Sequence, residues 1–111
     1  MDFDQNKPIY LQINESICER ILSGALKVED RIPSVREFAA EIGVNPNTVA
    51  RSYEKLTDAG IIYNKRGIGY FVSPGALDAV LATEREQFFA VELPQFLKRM
   101  ALLGIDRNEI M

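Results

Sequence analysis

Two helix-start signals stand close together in the first half of this chain with a glycine between them, and that arrangement leaves few folds open. Ser34-Val35-Arg36-Glu37 is a capping box, in which the serine side chain takes the N–H three residues on and the glutamate reaches back. Pro33 stands just before it. Val35, Phe38, Ala39 and Ile42 are spaced to form the inner face of a short helix. Gly43 supplies the left-handed position at which the chain turns. Asn45 then caps another helix almost at once, and Pro46 is pre-set for its first position. Val49, Tyr53 and Leu56 recur at i+3 and i+4 and face inward, and Gly60 ends the run. Two helices joined by so tight a glycine turn form a helix-turn-helix unit.

The flanks extend this frame. Residues 8–26 read as a helical stretch that stops at Gly24, with Pro8 in its first turn. Ile9, Ile13, Ile17 and Ile21 recur at i+4, with Tyr10 and Leu22 alongside. Leu26 and Ile32 anchor the following loop. Downstream, Ile61-Ile62-Tyr63-Asn64 and Tyr70-Phe71-Val72 are β-like runs. Between them, Lys65-Arg66-Gly67-Ile68-Gly69 makes a basic, glycine-bearing hairpin tip. Ser73-Pro74-Gly75 breaks the pattern. The expected fold is mainly α with a small β-hairpin: a winged helix-turn-helix over residues 1–75, then a short all-helical tail over 76–111.

In the tail, Leu77, Val80, Leu81 and Phe88 form one apolar stripe, with Phe89 and Val91 at its margin. Pro94 is expected to interrupt the helix. Phe96, Leu97, Met100, Ala101 and Leu103 make a second, shorter helix up to Gly104. Asp106-Arg107-Asn108-Glu109 resembles another capping box, and a helix that starts there with so little length reads as a truncated or frayed end. Two short amphipathic helices cannot easily build a core alone. The expected partner is a second subunit, met through Leu77, Leu81, Phe88, Phe89, Leu93, Phe96, Leu97 and Met100; the alternative is packing back onto the tail's own winged domain.

Composition narrows the chemistry. The chain has 111 residues, enough for one small domain with an appendage. It contains no histidine and one cysteine, so neither a zinc site nor a nucleophile–histidine pair is expected, and no disulfide can form within the chain. Cys18, beside Ile17 and Ile21, reads as a small buried apolar residue. No paired carboxylates, phosphate-cradling loop or cofactor fingerprint is recognisable, so the chain does not read as an enzyme and no cofactor is expected. No apolar run approaches a membrane span, and the acidic start Met1-Asp2-Phe3-Asp4 lacks the character of a signal peptide, which places the expected protein in the cytoplasm, away from membranes.

The net charge of −3 argues against a nucleic-acid partner until its distribution is considered. On the second helix of the pair, Asn47, Thr48, Arg51 and Lys55 share one side, opposite Val49, Tyr53 and Leu56. In a major groove, Arg51 suits guanine, Asn47 suits adenine, and Thr48 suits a phosphate or a thymine methyl. Asn45 and Pro46 open that helix, where such motifs reach the bases. Arg36 lies in the first turn of the preceding helix, beside backbone amides near Ser34 and Val35 that suit a phosphate. Lys65, Arg66 and Gly67 at the hairpin tip suit the minor groove or its phosphates. Glu54 and Asp58 point away from the Arg51 side, so one face can be basic while the molecule is acidic. Each feature alone has an ordinary reading as a solvated face, a cap or a soluble loop. Their order, capped helix, glycine turn, polar-faced helix and basic hairpin, favours a duplex-DNA partner over a protein-interaction module.

Three segments resemble the winged-helix domain of the GntR family of bacterial regulators. They are Ile32-Pro33-Ser34-Val35-Arg36-Glu37-Phe38-Ala39 with Ile42-Gly43-Val44-Asn45-Pro46-Asn47-Thr48-Val49, then Tyr53-Glu54-Lys55-Leu56 with Gly60-Ile61-Ile62, then Arg66-Gly67-Ile68-Gly69-Tyr70-Phe71-Val72. The resemblance spans about residues 8–73 and points to the branch with short helical tails, the YtrA-like subfamily. It implies homodimers on palindromic operators, mostly acting as repressors. It also implies that Ser34, Arg36, Asn47, Thr48 and Gly67 fall on positions that touch DNA. Pro46 and Ala50 stand where some relatives carry a contacting arginine, which shifts base reading toward Asn47 and Arg51. Larger members add a ligand-binding domain after the wing; a 76–111 tail is too short for one, which argues against a small-molecule effector.

Overall fold

A computed structural model of the chain describes residues 3–111; Met1 and Asp2, half of the acidic start, lie outside the described residues. The elements run α1 (Ile9–Leu22), β1 (Arg31–Ile32), α2 (Val35–Ile42), α3 (Pro46–Asp58), β2 (Ile62–Lys65), β3 (Gly69–Val72), α4 (Ala76–Gln87), a π-helical turn (Phe88–Glu92), α5 (Leu93–Leu103) and a 3-10 turn (Arg107–Glu109). The chain divides into two compact units, one ending at Val80 and the other running Leu81–Met111.

In the first unit α3 packs against both α1 and α2. The core takes Ile13, Ile17 and Ile21 from α1, Phe38 and Ala39 from α2, and Val49, Tyr53 and Leu56 from α3. Cys18 is buried among them. The isoleucine ladder of α1 is inward only from Ile13 onward, because Ile9 and Leu22 sit at the helix ends and stay exposed. The inner face expected for α2 is present, with Val35 and Ile42 half-buried at its margins.

The sheet has three antiparallel strands in the order β1-β3-β2, one more than the hairpin alone supplies. Arg31 pairs with Phe71 and Ile32 with Tyr70. A two-residue strand is too short to show alternation; it exists because β3 offers an unpaired edge. The approach to it is fixed by Glu29, in left-handed conformation at φ 69°, whose N–H donates to the Val72 carbonyl at 2.9 Å. In the hairpin Lys65 pairs with Gly69, so β2 and β3 each extend one residue nearer the tip than the sequence suggested.

The expected boundary after Gly75 is a chain break in pattern but not in packing. Ala76 and Val80 of α4 are fully buried in the core of the first unit, so the apolar stripe expected along α4 is divided: Val80 faces inward while Leu77 and Leu81 are exposed.

In the second unit Pro94 does not interrupt the helix. The backbone stays helical from Gln87 through Leu93, and Leu93 N–H reaches back to the Phe88 carbonyl, five residues away. Proline lacks an N–H and its ring collides with the carbonyl four residues earlier in a regular α-helix; one wider turn just before it changes the spacing that produces the collision. Gly104 ends α5 in left-handed conformation, and the Asp106 capping box is formed around the short 3-10 turn. No helix among the described residues is long and apolar enough to cross a membrane.

Candidate nucleic-acid interface

The helix-turn-helix is fixed by side-chain bonds at its joints. The Ser34 hydroxyl accepts the Glu37 N–H at 3.1 Å, and Ser34 N–H donates to the Glu37 carboxylate at 3.3 Å. Those Ser34 groups, with help from Arg31 at 3.7 Å, hold the Glu37 carboxyl below its ordinary pKa. Gly43 takes the left-handed turn at φ 69°. The Asn45 side-chain oxygen then accepts the Asn47 N–H at 2.8 Å and opens α3, with Pro46 in its first turn. Tyr53, inside the core, donates its hydroxyl to the Pro33 carbonyl at 2.7 Å and ties α3 to the start of α2. Buried Ser52 donates to the Asn14 side chain and ties α3 to α1.

These joints leave the outer side of α3 open. Asn47, Arg51 and Lys55 are exposed and Thr48 is half-buried. A shallow depression gathers Asn47, Thr48 and Arg51 with Pro8, Ile9 and Tyr10 from the start of α1. Side chains on a helix lean toward its N-terminus, which carries Arg51 back beside Asn47 and Thr48. There its guanidinium carbon lies over the Tyr10 ring, 4.0 Å from the centroid, and Nη2 donates to the Tyr10 hydroxyl at 3.4 Å. Lys55 Nζ lies 5.8 Å from the same ring.

The acidic groups of α3 sit elsewhere. Glu54 and Asp58 line a separate depression with Ala50, Thr57, Asn64 and Tyr70. Arg51 and the acidic pair thus line different depressions, but Asp58 does not point away from Arg51 as expected: seven residues on, it falls on the same outward stripe two turns later.

The remaining expected contacts lie outside the Tyr10 depression. Arg36 is exposed in the first turn of α2, next to half-buried Ser34. Arg66 and Gly67 are exposed at the wing tip, while Lys65 Nζ sits 5.1 Å from the Phe71 ring. Asn45 has its side-chain oxygen committed to the cap.

On the tail, Leu77, Leu81, Phe88, Phe89, Phe96 and Leu97 are exposed and Leu93 and Met100 half-buried. Among the described residues, no group of three or more His, Cys, Asp or Glu is placed to hold a metal ion.

Two features escaped the sequence reading. Tyr10 is not a core residue of α1: it lies one position off the i+4 ladder, and that offset is the signal the sequence offers. Arg31 was counted only as charge, yet its guanidinium fills the space over Gly69, where a Cβ would meet its Nε at 3.0 Å.

Residues 9–72, from α1 through β3, match the model of the bacterial regulatory proteins of the gntR family. The chain belongs to the GntR family. It is 36% identical over 109 residues to the HTH-type transcriptional regulator YhcF of Bacillus subtilis (strain 168), covering 98% of this chain and 88% of that protein. It is 43% identical over 76 residues to the HTH-type transcriptional repressor YtrA of the same organism, covering 68% of this chain and 58% of that one. A GntR-family transcriptional regulator from Listeria monocytogenes superposes with a TM-score of 0.80 at 34% identity, over 97% of this chain and 93% of that chain. A structure of the DNA-binding domain of AraR in complex with its operator ORR3 superposes with a TM-score of 0.59 at 27% identity, over 66% of this chain and 88% of that chain. These GntR-family proteins are regulators of transcription, not enzymes, and the likeness to YtrA agrees with the short-tailed branch.

Proposed function

We propose that this GntR-family regulator is a repressor that binds a palindromic operator in duplex DNA as a homodimer in the cytoplasm. The observation that carries the reading is the exposed polar cluster on α3: Asn47, Thr48 and Arg51 line one depression with the start of α1, while Glu54 and Asp58 line a different one. In this reading α3 enters the major groove, with Arg51 and Asn47 reading base edges and Thr48 supporting them. Ser34 and Arg36 take phosphate at the start of α2, and Lys65, Arg66 and Gly67 reach the minor groove. Residues 1–75 hold the DNA and 76–111 hold the partner subunit.

Support for dimerisation comes from the tail. Phe89, Phe96, Leu97, Leu102 and Leu103 are each at least half exposed in the single chain, an apolar surface that a second copy would cover. Twofold symmetry would set the two recognition helices one or more DNA turns apart, about 34 Å per turn.

The test is selection of bound duplexes from random sequence at fixed salt. The expected outcome is a twofold-symmetric site preferred over random duplex by at least about tenfold; no preference sinks the reading. Arg36→Ala should weaken all sequences alike, whereas Arg51→Ala should relax the preference at one base pair. Sedimentation should give a dimer at micromolar concentration, and a monomer refutes the tail assignment.

A further inference from the structure

We infer that Tyr10 is the positioning residue for Arg51: its ring and hydroxyl hold the guanidinium beside Asn47 and Thr48, ready to read a base. This rests on the proposal that Arg51 contacts a base edge.

The geometry has three parts. The guanidinium carbon lies 4.0 Å from the ring centroid, which places the planar group over the ring face. One nitrogen reaches the phenol oxygen at 3.4 Å, which sets the in-plane rotation. Among the described residues Arg51 forms no ion pair with a carboxylate, so its charge is not neutralised. A guanidinium carries its N–H donors around its edge, and guanine is read by two of them at O6 and N7. The ring takes the face and the phenol oxygen takes one Nη2 N–H, so the remaining N–H donors stay available to a base.

The source of the ring is also informative. Tyr10 comes from α1, a different element from the recognition helix, and the two residues lie 41 positions apart in sequence. An unassisted exposed arginine samples many rotamers and must lose that freedom on binding. A ring fixed by α1 removes part of the loss beforehand. Lys55, 5.8 Å from the same ring, shares the platform at longer range.

The experiment compares full-length parent, Tyr10→Leu, Tyr10→Phe, Arg51→Ala and the Tyr10→Leu/Arg51→Ala double variant on the selected operator and on its single-base variants. Tyr10→Leu should weaken operator binding by about two- to fivefold, the size of an exposed cation–π contact, and narrow discrimination at the Arg51 base pair. Tyr10→Phe, which keeps the ring, should retain most of both. In the Arg51→Ala background Tyr10→Leu should have no further effect.

Side-chain NMR relaxation should find the Arg51 Nε–H ordered in the parent and in Tyr10→Phe, and mobile in Tyr10→Leu. This readout also decides the matter if Tyr10→Leu binds poorly because it is unstable: an Arg51 as mobile in the parent as an unstacked surface arginine overturns the inference. It is overturned as well if Tyr10→Leu is additive with Arg51→Ala, if Tyr10→Phe behaves as Tyr10→Leu, or if base discrimination is unchanged in Tyr10→Leu. If Arg51→Ala itself leaves base preference intact, the base-reading role fails first and the positioning role falls with it.

Discussion

Replacing Tyr53 with phenylalanine removes a single oxygen, and the structure says what that oxygen does. Tyr53 is fully buried, with its ring edge-on to Tyr70 at 5.0 Å and tilted to Phe38 at 6.3 Å. Its hydroxyl donates to the Pro33 carbonyl at 2.7 Å, one residue before the cap of α2. Phenylalanine keeps the ring contacts and loses only this bond. A neutral buried hydrogen bond contributes about 0.5–1.5 kcal/mol net. Pro33 is half-buried, so water can partly satisfy the abandoned carbonyl and the cost should sit near 1 kcal/mol. For a domain of this size that is a fall in Tm of about 4–8 °C. Tyr53→Ala, which also removes the ring, should cost about 3–5 kcal/mol. Thermal unfolding by circular dichroism separates the cases. Burial also raises the Tyr53 pKa far above the ordinary tyrosine value, so its contribution is whole below that value and fades as pH climbs through the alkaline range. Tyr53→Phe should lack that alkaline loss. A Tm within about 1 °C of the parent would refute the reasoning, since the bond would then be no better than water.

Three further outcomes follow from the same geometry. Gly69→Ala places a Cβ 3.0 Å from Arg31 Nε at a backbone φ of 140°, so it should destabilise the first unit by roughly 1–3 kcal/mol in a urea titration, and Arg31→Ala should relieve only the contact part. The lowered pKa of Glu37 means that its contribution is complete above the ordinary glutamate range and is lost as pH falls through the folded value; an acid titration of Glu37→Gln should show a shallower decline in stability than the parent. Val80→Ala opens a hole in the core of the first unit and should cost about 2 kcal/mol in thermal unfolding, whereas an unchanged Tm would mean that α4 starts outside that core.

Much of this fold was legible because its signals are local. Ser34, Glu37, Gly43, Asn45 and Pro46 each act within a few residues, so the two central helices could be placed from sequence alone. The features that escaped depend on distant partners. β1 exists only because β3 lies beside it, and two residues cannot announce an edge strand. Pro94 does not break the helix because a proline penalty assumes a regular helix, and the π turn from Phe88 removes that assumption. The α4 stripe was divided because Val80 answers to a core built mostly from residues before Gly75. On the outer surface of α3, the grouping of Asn47, Thr48 and Arg51 was readable from helical spacing. Tyr10 was not, because its partner lies on another helix.

The division of α3 into two non-overlapping sets of side chains bears on how such a regulator changes over time. Val49, Ser52, Tyr53 and Leu56 carry the frame, whereas Asn47 and Lys55 are exposed side chains outside it. Exchanges on an exposed helix face usually move stability by less than about 0.5 kcal/mol. If α3 reads the operator as proposed, new preferences can be tried one residue at a time on an unchanged scaffold. Position 51 is the exception, because its neighbour on α1 has to suit whatever replaces it, and a lineage drifting there would be expected to change both residues together.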